Sequence, residues 1–168
     1  MVRALYPGTF DPITLGHIRI IERVIPLFEK VTIGVSCNET KEPLFSTKER
    51  MELIKQVFDG VDVLEVTSYE HLTVDFARKI GARVIIRGLR AVTDYVSEVQ
   101  MAIMNRSIAP DIETLLLVAE EGFSFVSSSL IKEIVKHGGP VDHLVPEPVV
   151  EALKVKLKDK YRCGKHLK

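Results

Sequence analysis

The residues best suited to chemistry in this sequence are one histidine, three basic residues and a run of serines. Each follows an apolar stretch of the chain. They are His17, which comes directly after a glycine, Lys41, Arg87, Arg90 and Ser127–Ser129. Arginine and lysine bind phosphate oxygens through charge-assisted hydrogen bonds, and the first N–H groups of a helix attract anions. The combination predicts a site for a polyphosphate.

Each of these residues also has a structural interpretation when it is taken alone. His17 could bond to the backbone at a helix start, and Lys41 could belong to an ordinary solvated loop. The two arginines could pair with Asp94 or Glu98, because an arginine that follows an apolar strand needs an anion nearby. The serines could simply cap a helix. The functional interpretation therefore depends on whether the fold brings these residues together.

Apolar stretches alternate with amphipathic ones along the chain. Five stretches predict strands: Val2–Tyr6, Val31–Ser36, Val61–Val66, Val84–Ile86 and Thr114–Val118. Helical spacing of apolar residues predicts six helices: Gly16–Phe28, Ser46–Phe58, Thr73–Ile80, Thr93–Ile108, Leu130–Lys136 and Pro146–Lys158. This alternation predicts an α/β fold: a single, doubly wound, Rossmann-like domain with a five-stranded parallel sheet and helices on both faces.

Ligands in such sheets bind beyond the carboxyl ends of the strands. Five connections lie there: Gly8–His17, Cys37–Phe45, Thr67–Val74, Arg87–Asp94 and Ala119–Ser129. Together they contain the histidine, the basic residues and the serines. The predicted fold therefore brings the candidate residues to one edge of the sheet, which favours the functional interpretation.

Composition indicates an ordinary globular protein. Of 168 residues, 46% are hydrophobic and 27% charged, and 23 basic side chains balance 23 acidic ones. We expect no nucleic-acid partner, because a general nucleic-acid binder shows a basic excess. No apolar run approaches the roughly 20 residues of a membrane span, and the N-terminal apolar stretch is too short for a secretory signal. We expect no membrane partner and a cytoplasmic location. Residues 1–158 are predicted to form the domain, and 159–168 a frayed basic tail.

Several familiar mechanisms lack their motifs. No G-x-x-x-x-G-K-[ST] loop, G-x-G-x-x-G turn or G-x-S-x-G elbow is present, and the five histidines show no zinc-type spacing. The two cysteines, Cys37 and Cys163, form no redox or metal pair. The sequence is not typical of a redox, zinc or acyl-enzyme protein.

Three segments together resemble bacterial phosphopantetheine adenylyltransferases. They are residues 6–17 (YPGTFDPITLGH), 86–92 (IRGLRAV) and 125–133 (FVSSSLIKE). The first ends in T-x-G-H, a form of the (H/T)xGH motif of the nucleotidyltransferase superfamily. The resemblance extends from Ala4 to about Leu157. Three segments in this order and at these separations are far more specific than T-x-G-H alone.

The resemblance implies that the protein transfers the adenylyl group of ATP to 4′-phosphopantetheine. The products would be dephospho-coenzyme A and pyrophosphate, with Mg²⁺ bound through the ATP phosphates rather than by protein side chains. It also implies a homo-oligomer, usually a hexamer, and makes coenzyme A a candidate feedback inhibitor.

The same resemblance assigns residues to each substrate. Phosphopantetheine would be bound by Thr9, Lys41, Thr73 and Arg87. ATP would be bound by Thr9, Phe10, His17, Gly88, Leu89, Arg90, Glu98, Phe123, Ser124, Phe125, Val126, Ser127, Ser128 and Ser129.

Adenylyl transfer needs no general base here, because the attacking phosphate is already anionic at neutral pH. The site must align two anions and stabilise the charge that grows on the α-phosphate. We assign that catalytic stabilisation to His17 and Lys41. Thr9 would orient the attacking phosphate, and Arg90 would hold the leaving pyrophosphate together with the serines and their helix dipole.

Three residues depart from the family pattern: Ser97 in place of a frequent tyrosine, Thr73 in place of a larger aliphatic residue, and Arg19 in place of an acidic one. Two other functions also stay open. One is adenylylation of nicotinate mononucleotide, against which the Arg87–Arg90 segment argues. The other is a non-catalytic adenine-nucleotide sensor, which would not need His17, Lys41 and Arg90 together. A nucleic-acid-binding role for the basic tail is a weaker alternative, because short basic ends usually only aid solubility.

Overall fold

The computed structural model describes residues 2–37 and 43–157, without the side chain of Thr93. Lys41 and the predicted tail lie outside these residues. The described strands are β1 Arg3–Gly8, β2 Lys30–Ser36, β3 Leu64–Tyr69, β4 Val84–Leu89 and β5 Glu113–Val118. The described α-helices are α1 Leu15–Val24, α2 Thr47–Val57, α3 Thr73–Lys79, α4 Val92–Ile108, α5 Ser128–Lys136 and α6 Glu147–Lys156. None of these helices is long and apolar enough to cross a membrane.

The five strands form one parallel sheet in the order β3-β2-β1-β4-β5. The chain first builds outward from β1 to β3, then returns to the other side of β1 for β4 and β5. The change of direction between β1 and β4 is the switch point of a doubly wound sheet. The predicted fold class is confirmed.

Helices cover both faces of the sheet because successive strand residues point to opposite sides. In β1, Ala4 and Tyr6 belong to the larger apolar cluster, which also contains buried residues of α1, α2, α5 and α6. Leu5 belongs to a second cluster with Ile85 of β4 and buried residues of α3. Burial of both clusters stabilises the sheet and fixes which strand residues face each layer.

Strands β1 and β4 separate at the carboxyl end of the sheet. Their register includes only Ala4↔Val84 and Leu5↔Ile85, whereas β1 pairs with β2 over six residues up to Gly8↔Val35. The separation leaves an open crevice at the switch point, where ligands bind in sheets of this kind.

The predicted end of β1 at Tyr6 is wrong, since the strand continues through Pro7 and Gly8. Proline lacks an N–H group and usually interrupts a ladder. Pro7 is tolerated because the pairing with β4 has already ended before it.

Three other predicted boundaries are also corrected. Helix α1 ends at Val24 rather than Phe28, because Pro26 has no N–H group to continue the α-helical hydrogen bonds, and a 3₁₀ turn follows over Ile25–Leu27. Strand β3 starts at Leu64, whose N–H closes a turn onto the Val61 carbonyl, rather than at Val61. Strand β4 pairs with β5 up to Leu89, so Arg87 and Gly88 lie within β4 and not after it.

Candidate active site

The crevice between β1 and β4 forms an open cleft of about 380 Å³. Its walls come from the ends of both strands, the first turns of α1 and α4, and the N-terminus of α5. The lining residues are Tyr6, Pro7, Gly8, Thr9, Phe10, Thr14, Gly16, His17, Ile20, Arg87, Gly88, Arg90, Asp94, Glu98, Ala119, Val126, Ser127, Ser128 and Ser129.

The turn after β1 is built around the ring of Phe10. This residue adopts a left-handed backbone conformation, with φ at 49°. Its buried ring makes edge contacts with the rings of Tyr6 and His17, at centroid distances of 5.5 and 5.2 Å. A Cβ atom on Gly8 would lie 2.8 Å from the Phe10 ring, so glycine is required for this packing. The Phe10 ring therefore packs against the His17 ring and helps to fix its position.

The backbone holds His17 in one tautomer. The N–H of Thr14, the N-cap of α1, donates a hydrogen bond to Nδ1 of His17 at 3.1 Å, and Thr14 Oγ1 lies 3.0 Å from the same atom. Because Nδ1 accepts the backbone proton, the proton of a neutral ring resides on Nε2. The donor that remains for a ligand is Nε2–H.

His17 is neutral at physiological pH. Burial, and then the positive charges of Arg90 and Arg87, lower its pKa to about 4 from an ordinary 6.5. The ring therefore acts as a hydrogen-bond donor in the free protein, and neither as an acid nor as a cation.

Two measurements test this protonation state. We expect the NMR signals of the His17 ring to show the Nε2–H tautomer and to titrate near pH 4, far below an ordinary histidine. Because the folded pKa lies below the unfolded one, the free energy of unfolding should fall as pH decreases from about 6.5 to about 4. The loss assigned to His17 is about 3 kcal/mol. A ring that titrates near pH 6.5 would contradict the assignment.

Arg87 is held by a carboxylate and a carbonyl. Its Nε and Nη2 donate to Glu98 of α4 at 2.7 Å each, and its Nη1 donates to the Pro7 carbonyl at 3.1 Å. Such a two-bond pair fixes the plane of the guanidinium. The partner considered from the sequence is therefore present, and it holds Arg87 in the wall of the cleft.

Arg90 precedes α4 and is likewise held by a carboxylate, that of Asp94 in the first turn of this helix. Its Nε donates to Asp94 at 3.0 Å, and its backbone N–H donates to the same carboxylate at 3.2 Å. Its Nη1 reaches the Val126 carbonyl at 3.4 Å. Asp94 thus orients Arg90 between the first turn of α4 and the segment before α5.

The serines form the N-terminus of α5. Ser127 is the N-cap, and its Oγ accepts the Leu130 N–H at 3.1 Å. Ser128 donates from Oγ to the Pro12 carbonyl at 2.8 Å, which ties α5 to the turn after β1. Ser127 therefore caps the helix, as the structural interpretation of the serines predicts, and this helix N-terminus also lines the cleft.

The structure brings most of the predicted residues to this cleft. Five predicted site residues that the structure describes do not line the cleft: Leu89, Thr73, Phe123, Ser124 and Phe125. Thr73 begins α3, next to the edge strand β3, and its hydroxyl lies 3.1 Å from Tyr69 Oη. Lys41 lies outside the described residues.

Several residues that line the cleft were not predicted from the sequence. Tyr6, Thr14, Gly16, Ile20 and Ala119 were not assigned to a ligand. A signal existed for Thr14 and Gly16, which belong to the T-x-G-H motif. The role of Ile20 depends on packing, since its Cδ1 lies 2.4 Å from where a Cβ on Gly88 would be. Gly88 is therefore needed where α1 crosses β4.

Two of the departures from the family pattern have structural explanations. Arg19 pairs with Glu22 at 2.8 Å, and its guanidinium lies over the Phe123 ring, 5.9 Å from the centroid. Ser97 donates from Oγ to the Asp94 carbonyl at 2.9 Å, within the first turns of α4. Both residues support segments next to the cleft without lining it.

Within residues 2–37 and 43–157, no group of three or more metal-ligating side chains is found. The two carboxylates of the cleft, Asp94 and Glu98, are each engaged by an arginine. These residues do not form a protein-side metal centre.

A parallel sheet with a T-x-G-H histidine and two arginines at its switch point defines a nucleotidyltransferase-type site. The cytidylyltransferase-like family model matches residues 5–134. The chain is 49% identical over 150 residues to phosphopantetheine adenylyltransferases of two Leptospira biflexa serovar Patoc strains, covering 89% of this chain and 94% of each relative. It is 51% identical over 151 residues to the phosphopantetheine adenylyltransferase of Synechococcus sp. (strain JA-2-3B'a(2-13)), covering 90% of this chain and 95% of the relative. The chain belongs to the cytidylyltransferase-like family and, within it, to the phosphopantetheine adenylyltransferases.

Proposed function

We propose that the protein transfers the adenylyl group of ATP to 4′-phosphopantetheine and releases pyrophosphate and dephospho-coenzyme A. The observation that carries this function is the cleft itself. One neutral histidine donor, two oriented arginines and a helix N-terminus surround a space between β1 and β4. Identities of 49–51% to phosphopantetheine adenylyltransferases support this substrate over nicotinate mononucleotide.

The residues of the cleft suit a direct displacement between two phosphates. The phosphate of 4′-phosphopantetheine attacks the α-phosphorus of ATP, a new P–O bond forms, and the bond to pyrophosphate breaks. We assign to Nε2–H of His17 a hydrogen bond to the α-phosphate, which strengthens as charge grows in the transition state. Lys41 is proposed to share this role, on the resemblance alone.

The two arginines are assigned to different phosphate groups of the substrates. Arg87 lies in β4 against Pro7 and is proposed to bind the attacking phosphate, with Thr9 orienting it. Arg90 lies between α4 and Val126, next to the N-terminus of α5, and is proposed to hold the leaving pyrophosphate. Both guanidiniums are already oriented, so little ordering is needed when the anions bind.

Mg²⁺ is proposed to enter with ATP. The described carboxylates of the cleft are committed to arginines, so the phosphate oxygens would supply the ligands. The ion would neutralise phosphate charge when bound. No residue role above depends on it.

We also propose that the protein assembles as a homo-oligomer, a hexamer by family resemblance, and acts in the cytoplasm. Helix α4 and strand β5 carry several large apolar side chains that are exposed in the single chain, including Val96, Ile103 and Val118. Exposed apolar side chains on neighbouring elements suit an interface. Coenzyme A is proposed as a feedback ligand, because it shares the pantetheine arm with the substrate.

The decisive assay measures pyrophosphate release from ATP and Mg²⁺, with 4′-phosphopantetheine and nicotinate mononucleotide tested in parallel. We expect release with 4′-phosphopantetheine alone. Release only with nicotinate mononucleotide would overturn the substrate and keep the nucleotide site. ATP binding without release in either assay would favour the sensor function.

A further inference from the structure

We propose that Asp11, together with Lys132 and Arg50, is a positioning unit that holds three segments of the active site in register. The proposal rests on the adenylyl-transfer function above. None of the three residues lines the cleft. Each acts through the backbone that it binds.

Asp11 is a buried carboxylate between two functional segments. It is 3% exposed, and its Oδ1 and Oδ2 accept the N–H groups of Phe45 and Leu44 at 2.9 Å each. Oδ2 also accepts from Lys132 Nζ at 2.6 Å. Lys132 lies in α5, one turn after the serines that face the cleft. A single carboxylate therefore joins the segment before α2 to the N-terminal half of α5.

Arg50 binds the same region from the other side. It is 1% exposed and lies in the first turn of α2, where the Ser46–Glu49 capping box fixes the helix start. Its Nε donates to the Phe45 carbonyl at 3.0 Å, and its Nη1 donates to the carbonyls of Thr9 at 2.8 Å and Ser36 at 3.1 Å. One guanidinium thus connects the ends of β1 and β2 to the start of α2.

Asp11 and Arg50 fix the backbone next to residues that are proposed to act in the reaction. Asp11 binds the N–H of Phe45, and Arg50 binds its carbonyl, so this peptide segment is held on both sides. Thr9, the residue proposed to orient the attacking phosphate, has its carbonyl bound by Arg50. Ser36 and Leu44, which are held as well, border the part of the chain that contains Lys41.

Burying charged groups costs free energy, and well-packed apolar residues often stabilise a fold as much as an ion pair does. Stability alone is therefore a poor explanation for a buried aspartate and a buried arginine that form most of their hydrogen bonds with backbone groups. Their geometry instead selects one arrangement of the β1 turn, the start of α2 and α5. Catalysis by alignment is sensitive to such arrangements, since a displacement of about 1 Å can cost about 100-fold in rate.

The test compares Lys132→Met, Lys132→Arg, Asp11→Asn and the Lys132→Met/Asp11→Asn double variant. An Arg50→Lys variant keeps the charge but cannot reach all the carbonyls. Arg78→Gln, which breaks the exposed Arg78–Asp111 pair at the opposite end of the sheet, is the matched control. For each protein we would measure kcat, both KM values, the ATP Kd by calorimetry, and Tm.

We expect kcat to fall about 10- to 100-fold in Lys132→Met, Asp11→Asn and Arg50→Lys, with the ATP Kd within about threefold of the wild type. The double variant should lose no more than the worse single variant, because both changes break one pair. Lys132→Arg should recover most of the rate. Kinetic constants within threefold of the wild type in Lys132→Met, at a temperature well below its Tm, would overturn the proposal even if Asp11→Asn does not fold. An inactive wild-type protein would instead refute the proposed function.

Discussion

Replacing His17 by alanine should reduce kcat by roughly 10²- to 10³-fold while ATP still binds. The loss is expected because Nε2–H is the donor proposed to stabilise charge on the α-phosphate. The ground-state contact is weaker, so the ATP Kd should change by only a few fold. Steady-state kinetics and calorimetry on the same preparation separate the two effects.

Alanine at residue 17 also removes the acceptor of the Thr14 N–H, so some stability should be lost, about 1 kcal/mol. Thermal unfolding of the variant measures that loss, and assays well below Tm keep it out of the kinetics. His143→Ala, an exposed histidine that does not line the cleft, is the control. A His17→Ala protein with normal turnover would remove His17 from the mechanism.

Replacing Arg87 by methionine should raise the KM for 4′-phosphopantetheine by about 100-fold, which corresponds to about 2.7 kcal/mol. Two causes combine. The phosphate loses its cationic partner, and Glu98 keeps a negative charge in the wall of the cleft without the guanidinium that neutralised it. The KM for ATP should stay within about threefold, because Arg90 is unchanged.

A second substitution separates these two causes. In the Arg87→Met background, Glu98→Gln should recover several-fold in KM, because it removes the uncompensated charge but does not replace the lost donor. Arg83→Met serves as the control, since this exposed arginine precedes the other end of the same strand. If Arg87→Met changes the KM for ATP and leaves that for 4′-phosphopantetheine intact, the two arginines have been assigned to the wrong substrates.

The fold could be predicted because periodicity carries it: apolar strands and amphipathic helices alternate, and that alternation leads to a parallel sheet. The pairing of the arginines could not be predicted. Asp94 is only four residues from Arg90 along the chain, but Glu98 reaches Arg87 only because α4 packs beside β4. Before the tertiary structure was known, a carboxylate and a bound phosphate were equally good partners for Arg87.

Burial of charge was invisible in the sequence for a different reason. Arg50 follows Thr47, Lys48 and Glu49 at the start of α2, a composition typical of an exposed first turn. Its burial follows from three carbonyl groups that converge on it from β1, β2 and the start of α2. Such convergence is a property of the tertiary fold, and no local pattern records it. The role of Thr73 and the contribution of Lys41 stay predictions.

The matched charges of the cleft also bear on how fast substrates arrive. Among the described lining side chains, Arg87 and Arg90 are balanced by Glu98 and Asp94, and His17 is neutral. These side chains exert little net electrostatic attraction on a distant anion, so they contribute little steering to the diffusional encounter. The contribution of these side chains to the association rate therefore depends only weakly on ionic strength. Selection occurs at contact, where only a ligand with phosphates in the right places reaches N–H groups that are already oriented.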